Sequence, residues 1–119
     1  MNSYTTDYLD ALQYGMDVLA NELHETAKEK GFWDHEVDFI FVAKQLAMVH
    51  SEVTEVLEAV RKTKGQELVV EELSDIIIRV LDLYSGMKEA GLVTSSLDET
   101  LAYKAFFNKT REKLHGVQG

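Results

Sequence analysis

This chain of 119 residues contains no proline, and that absence limits its possible folds more than any other feature of the sequence. Proline and glycine are the usual helix breakers, and the chain has only seven glycines, four of which interrupt it at Gly31, Gly65, Gly86 and Gly91. Long helices separated by short turns are therefore predicted. The length suits one domain over residues 1–119, because a single hydrophobic core is normal at this size.

Apolar residues repeat at helical spacing in four segments. Helices are predicted over residues 4–30, 36–64 and 67–90, and a capping box that begins at Ser96 opens a fourth helix to about residue 113. The third segment is apolar almost all round and is predicted to lie at the centre of the fold or at a subunit interface. Seven residues of the second segment share one arc and are predicted to face the core: Val42, Leu46, Val49, Val53, Val56, Leu57 and Val60. The expected fold is an all-α bundle of four to five helices.

The charge and composition exclude several classes of function. Twenty-one acidic and twelve basic residues give a net charge of −9, which repels a nucleic-acid backbone, so no nucleic-acid partner is expected. Without cysteine there is no disulfide framework and no thiolate metal site. The longest apolar run, residues 39–43, is too short to cross a bilayer, and the first residues lack the features of a secretory signal. A cytoplasmic protein with no membrane partner is expected.

Two short acidic motifs lie on either side of the predicted turn at Gly65. Glu52 and Glu55 form an ExxE motif and Glu72 and Asp75 form an ExxD motif, and each spacing places both carboxylates on one side of its helix. In an antiparallel pair, Glu55 and Asp75 lie at the same height. The other two carboxylates lie about 4.5 Å to either side at about 1.5 Å rise per residue. All four are therefore predicted to converge.

Four carboxylates at the edge of a core repel strongly and need neutralisation. Divalent cations provide it, and ligands that are all oxygen favour Mg²⁺ or Mn²⁺ over zinc or copper. The alternative interpretation is a non-catalytic helical interaction module whose acidic face binds a basic partner. A di-iron bundle is disfavoured, because neither motif has histidine at the spacing that such bundles use.

Cationic and polar residues form one stripe on the fourth predicted helix. Lys104, Asn108, Arg111 and His115 follow one another at helical spacing. In so acidic a chain, the stripe is a candidate phosphate-binding site, which we call the phosphate grip, for an anionic substrate. Arg111 can make a bidentate contact with a phosphate. The simpler explanation is compensation of the helix macrodipole.

Two further residues are candidates on other grounds. Trp33, in the loop before the second helix, can stack on a base or close the end of the bundle. Arg79 shares a flank of the third helix with Glu72, Asp75 and Asp82, where it can orient a ligand or form ion pairs within its own helix.

The order of the two acidic motifs resembles that of the MazG-like, all-α nucleoside triphosphate pyrophosphohydrolases. The similarity includes residues 71–83 and the pattern Asn108-x-x-Arg111, and it covers roughly residues 32–116. The resemblance implies a small single-domain member of this family, with a fold of the all-α pyrophosphatase type. It also implies assembly as a homodimer or a dimer of dimers.

The resemblance further implies an activity. The expected reaction is Mg²⁺-dependent hydrolysis of the bond between the α- and β-phosphates of a nucleoside or deoxynucleoside triphosphate, which gives a monophosphate and pyrophosphate. The expected metal ligands are Glu52, Glu55, Glu72 and Asp75, of which Glu55 and Glu52 are the expected catalytic residues. The expected substrate contacts are Lys104, Asn108, Arg111 and Trp33.

Overall fold

A computed structural model describes Ala11, residues 13–62 and residues 65–111. In this part of the chain there are four helices and no strand: α1 Met16–Glu29, α2 Phe39–Arg61, α3 Gln66–Glu89 and α4 Leu97–Thr110. The predicted all-α fold is confirmed for these residues. His115 and the outer ends predicted for the first and fourth helices lie outside the described residues. No described helix is both long and apolar enough to span a membrane.

Side-chain caps set the start of two helices. Asp38 accepts a hydrogen bond from the Phe41 N–H at 2.9 Å, so α2 begins at Phe39, slightly later than the spacing predicted. Ser96 Oγ accepts from the Glu99 N–H at 3.2 Å, which confirms the predicted cap of α4.

Two predictions about glycine are wrong. The first helix was predicted to run through Gly15, but Gly15 has a φ of 109°, in the left-handed region, and α1 begins only after it. Gly86 was named among the helix breaks, although the third helix was predicted over residues 67–90, and the structure places Gly86 inside α3. Glycine is needed there because the Trp33 ring packs against its Cα and leaves no room for a side chain.

Asp98 of α4 caps the start of α1. Its two carboxylate oxygens accept hydrogen bonds from the Met16 and Asp17 N–H groups at 2.7 and 3.1 Å. The Asp17 side chain in turn accepts from the Asp98 N–H at 2.9 Å. This long-range pair satisfies helix-end donors that Gly15, which has no side chain, cannot reach.

The central helix is α3, as predicted. It packs against both α1 and α2, whereas α4 contacts mainly α1. The predicted core face of α2 is wrong in part for the single chain: four of its seven residues, Leu46, Val53, Leu57 and Val60, are 48–56% exposed, and the other three are half-buried. The buried apolar residues among those described are few and mostly small: Ala11, Leu19, Ala20, Ala27, Ala59, Leu81 and Leu83.

Replacing Gly86 by alanine tests the contact with Trp33. The added carbon overlaps the indole ring, so we expect a loss of roughly 1–3 kcal/mol in stability and a displaced Trp33. The chain has one tryptophan, so fluorescence during thermal unfolding reports both effects. Gly65→Ala is the control, because nothing lies within 4 Å of its added carbon. An unchanged melting temperature and emission spectrum in Gly86→Ala would show that the ring does not need this space.

Candidate metal centre

Three of the four predicted carboxylates converge between α2 and α3. One oxygen from each of Glu52, Glu55 and Glu72 lies within 4.8 Å of the others, and no second group of this kind occurs among the described residues. Asp75 is not a member of the group. It lines an adjoining cleft together with Glu52. The assignment of Asp75 as a metal ligand stays a prediction.

We call Glu52, Glu55 and Glu72 the candidate metal centre, or metal centre for short, and their negative charges repel one another. Desolvation of the Glu72 carboxyl, followed by the negative charges of Glu55, Asp75 and Glu52, raises the pKa of Glu72. A bound cation would relieve this repulsion. Because the donor atoms are all carboxylate oxygens, the group fits Mg²⁺ or Mn²⁺.

Arg79 of α3 holds Glu52 of α2. The Glu52 side chain is 13% exposed, and its Oε1 accepts a hydrogen bond from Arg79 Nε at 2.9 Å. The sequence suggested ion pairs of Arg79 within α3, with Asp75 or Asp82. Instead, the one ion pair that Arg79 forms with a described residue joins the two helices that carry the acidic motifs.

A cleft of about 830 Å³ adjoins the metal centre. Its apolar walls come mainly from α1 and α3 and include Met16, Leu19, Leu23, Ala27, Ile77 and Ile78. Its charged lining residues are Lys30, Glu52, Asp75, Arg79 and Asp82. Pockets for small molecules usually measure about 300–1,000 Å³, so the cleft is large enough for a nucleotide.

A buried polar cluster holds Asp82. His24 Nδ1 lies 2.8 Å from Asp82 Oδ1, and Trp33 Nε1 donates a hydrogen bond to the same oxygen at 2.9 Å. Burial raises the pKa of Asp82, and these two hydrogen bonds oppose the shift. On its other side, His24 Nε2 lies 2.9 Å from Glu89 Oε2. The cluster fixes the loop after α1 to the central helix.

Sequence reasoning missed His24 and Glu89. The signal at His24 was a polar residue on the apolar stripe of α1, four residues after Ala20 and three before Ala27. Both alanines are buried, and the His24 side chain is only 2% exposed. A histidine on such a stripe needs buried partners, but its position does not tell which helix provides them.

Trp33 belongs to this buried cluster and does not line the cleft. Its ring stands edge-on to His24, with centroids 4.6 Å apart, and packs against Phe41 at 5.1 Å. These contacts match the plug at the end of the bundle that the sequence offered as one of two interpretations. A contact of Trp33 with substrate stays a prediction.

The predicted phosphate grip of α4 lies apart from the cleft within one chain. Lys104 and Arg111 lie beside the Phe107 ring, with their charged ends 5.6 and 5.9 Å from its centroid. Both residues and Asn108 are exposed, α4 has no buried residue, and none of these three lines the cleft. Their role in substrate binding is therefore a prediction that needs a second copy of the chain.

Comparison with known proteins adds no family assignment. The chain matches no protein-family model, no curated protein and no solved structure. A proposal for the function therefore depends on the geometry of the three converging carboxylates and on the two acidic motifs.

Glu72→Gln tests whether the charge of Glu72, which is desolvated and repelled by its neighbours, destabilises the metal-free fold. Because the pKa of Glu72 is raised above 4.5 by folding, the folded state binds a proton more readily than the unfolded state. Stability therefore falls as the pH rises from about that value through the raised pKa. We expect the metal-free Glu72→Gln variant to melt above the wild type at about pH 7 and level with it at about pH 4. Thermal melts in the presence of a chelator across this pH range check the sign of the difference. Equal melting temperatures at neutral pH would show that the charge of Glu72 does not destabilise the fold.

Proposed function

We propose that the protein is a Mg²⁺-dependent pyrophosphohydrolase of nucleoside or deoxynucleoside triphosphates. The observation that carries the proposal is the convergence of Glu52, Glu55 and Glu72 beside a cleft large enough for a nucleotide. The resemblance of the two acidic motifs to the MazG-like family supports the same reaction. Asp75, which lines the cleft, is the remaining candidate ligand.

The carboxylates of the centre have different roles in this proposal. Glu52, Glu55, Glu72 and Asp75 would hold Mg²⁺ or Mn²⁺, which supplies charge neutralisation and water activation when bound. Glu52 is tied to Arg79, so its orientation is fixed. Glu55 is exposed and makes no hydrogen bond or ion pair with another described residue, so we assign it the removal of a proton from the attacking water.

Phosphorus NMR of the reaction tests the proposal. A set of nucleoside triphosphates is incubated with Mg²⁺, and we expect nucleoside monophosphate and pyrophosphate. The choice of the α,β bond comes from the resemblance, because the same charges would serve release of the terminal phosphate. Accumulation of diphosphate and orthophosphate would mean that the resemblance does not extend to the reaction. No turnover and no response to Mg²⁺ would favour the acidic interaction module.

We also propose that the working form is a homodimer or a dimer of dimers. Helical spacing predicts a covered face on α2, but Leu46, Val53, Leu57 and Val60 are 48–56% exposed in the single chain. On α4, Leu101, Tyr103, Phe106 and Phe107 are 41–65% exposed, and this helix has no buried residue. Contiguous exposed apolar surface of this kind is typical of interfaces between proteins. A second copy of this chain is therefore the occupant that we assign to the exposed apolar surface.

Sedimentation of a charged variant tests the assembly. Exposed apolar side chains lie on α2, α3 and α4, and those on α2 and α4 include Leu46, Val53, Leu57, Val60, Leu101, Tyr103, Phe106 and Phe107. We expect a wild-type dimer or tetramer at micromolar concentration and a shift toward monomer in Leu57→Lys, because the interface would bury an unpaired charge. Ser51→Lys, at an exposed polar position of α2, is the control. Ile78 is less suitable because it also lines the cleft. A monomeric wild type would rule the assembly out.

In such an assembly, the cationic stripe of α4 has a binding role. We infer that Lys104, Asn108 and Arg111 of one copy reach the cleft of another, where Arg111 can make a bidentate contact with a phosphate. This arrangement is consistent with an α4 that has no buried residue and contacts mainly α1 of its own chain.

A further inference from the structure

Arg79 occupies a distinctive position among the cations of the chain. Lys30 and Arg79 are the two basic side chains that line the cleft within the described residues. Only Arg79 is also bonded to a carboxylate of the metal centre, through Glu52. It therefore lies at the junction between the metal centre and the cleft.

The contact with Glu52 uses a small part of the guanidinium. Only Nε donates to the Glu52 carboxylate, and no described residue accepts a hydrogen bond from the two terminal nitrogens. A guanidinium has five N–H donors, so four remain on those nitrogens. The side chain is 38% exposed and lines the cleft, so these donors are accessible to a ligand bound there.

An ion pair that served only to neutralise Glu52 would be stronger in a bidentate form, with two parallel hydrogen bonds to the carboxylate. The observed single contact instead leaves the end of the guanidinium uncommitted. That end has the planar pair of donors that matches two oxygens of a phosphate group. An oxyanion is the ligand that this geometry recognises.

We propose that Arg79 binds a phosphoryl oxygen of the substrate through its terminal nitrogens while its Nε holds Glu52. The identity of the ligand rests on the proposed function. Arg79 is then the phosphate contact that each chain supplies to its own cleft, whereas Lys104 and Arg111 come from a second copy. It was considered from the sequence only as a residue that orients a ligand or pairs within its helix.

Binding of inorganic tripolyphosphate tests the proposal with a ligand that has no nucleoside. Titration calorimetry is carried out at saturating Mg²⁺, and Mn²⁺ binding without phosphate is measured for each variant so that a change in metal loading is recognised. We expect Arg79→Gln to bind tripolyphosphate at least about tenfold more weakly than the wild type. Arg79→Lys should also weaken binding, because one ammonium cannot hold Glu52 and reach the phosphate together. This second variant carries the test if Arg79→Gln does not fold.

Arg61→Gln is the matched control, because it removes the same charge from an exposed position at the end of α2. Its affinity for tripolyphosphate should stay within about twofold of the wild type. Equal affinity in the wild type and the Arg79 variants, with hydrolysis retained, would overturn the role of Arg79 and leave the proposed function standing. A wild type that neither binds tripolyphosphate nor hydrolyses any nucleoside triphosphate would contradict both the role of Arg79 and the proposed function.

Discussion

Glu55→Gln is expected to abolish triphosphate hydrolysis while the fold stays intact. Glutamine has nearly the same shape as glutamate, but it cannot accept the proton and is a weaker ligand for a hard cation. Loss of a general base alone costs about 10²–10⁴ in rate, so we expect kcat to fall by at least about 10³. Steady-state release of pyrophosphate measures the loss, and a thermal melt confirms that the variant is folded.

Glu58→Gln makes the same chemical change nearby on α2 and is the matched control. Glu58 lies 3.8 Å from Arg61 and 3.9 Å from Lys62 and is outside the group formed by the metal-centre carboxylates. Its activity should stay within about twofold of the wild type. Glu52→Gln and Asp75→Asn should also be inactive, and activity retained in any of the three site variants removes that residue from the site.

The sequence was most informative about the acidic motifs. A spacing of three within each helix and a short turn between the helices limit which carboxylates can meet, and Glu52, Glu55 and Glu72 do meet. The sequence could not separate Glu72 from Asp75. Height along a helix follows from residue number, but the rotation of one helix about its axis depends on how the side chains of both helices pack.

The sequence was least informative about what covers the apolar residues. Periodicity shows which side of α2 avoids water in the working protein, and it does not show whether the neighbour is in the same chain. Leu57 and Val60 were assigned to the core on this basis, and both are more than half exposed in the single chain. An interface between two copies reconciles the pattern with the exposure.

Sequence patterns also could not predict contacts between residues that are far apart in the chain. Asp98 caps α1 across 81 and 82 positions, and nothing near Gly15 in the sequence predicts it. Gly86 resembled a helix break because glycine usually weakens helices. Glycine is instead needed at this position because the Trp33 ring packs against it. Only the packing of the loop against α3 reveals this contact.

The second large effect that we expect is recovery of activity when two impaired variants form a mixed dimer. Arg111→Ala alone should lose about 10² in kcat/KM, equivalent to about 2.7 kcal/mol of transition-state stabilisation, because a charged contact with the departing pyrophosphate is removed. Glu55→Gln is expected to be inactive. In a mixed dimer of these two variants, however, one of the two sites combines intact carboxylates with an intact α4 from the other copy.

Mixed dimers, co-expressed with two different tags and purified through both, should therefore recover about half of the wild-type activity. If α4 served the cleft of its own chain, every site would lack either Glu55 or Arg111, and the mixed dimer would not exceed the residual activity of Arg111→Ala. Mixed dimers of Glu55→Gln with Glu52→Gln are the control, because both changes affect the carboxylates that each chain supplies, and no rescue is expected from them. Rescue in the first pair alone would assign Arg111 to the site of the second copy, since exchange of subunits changes nothing else.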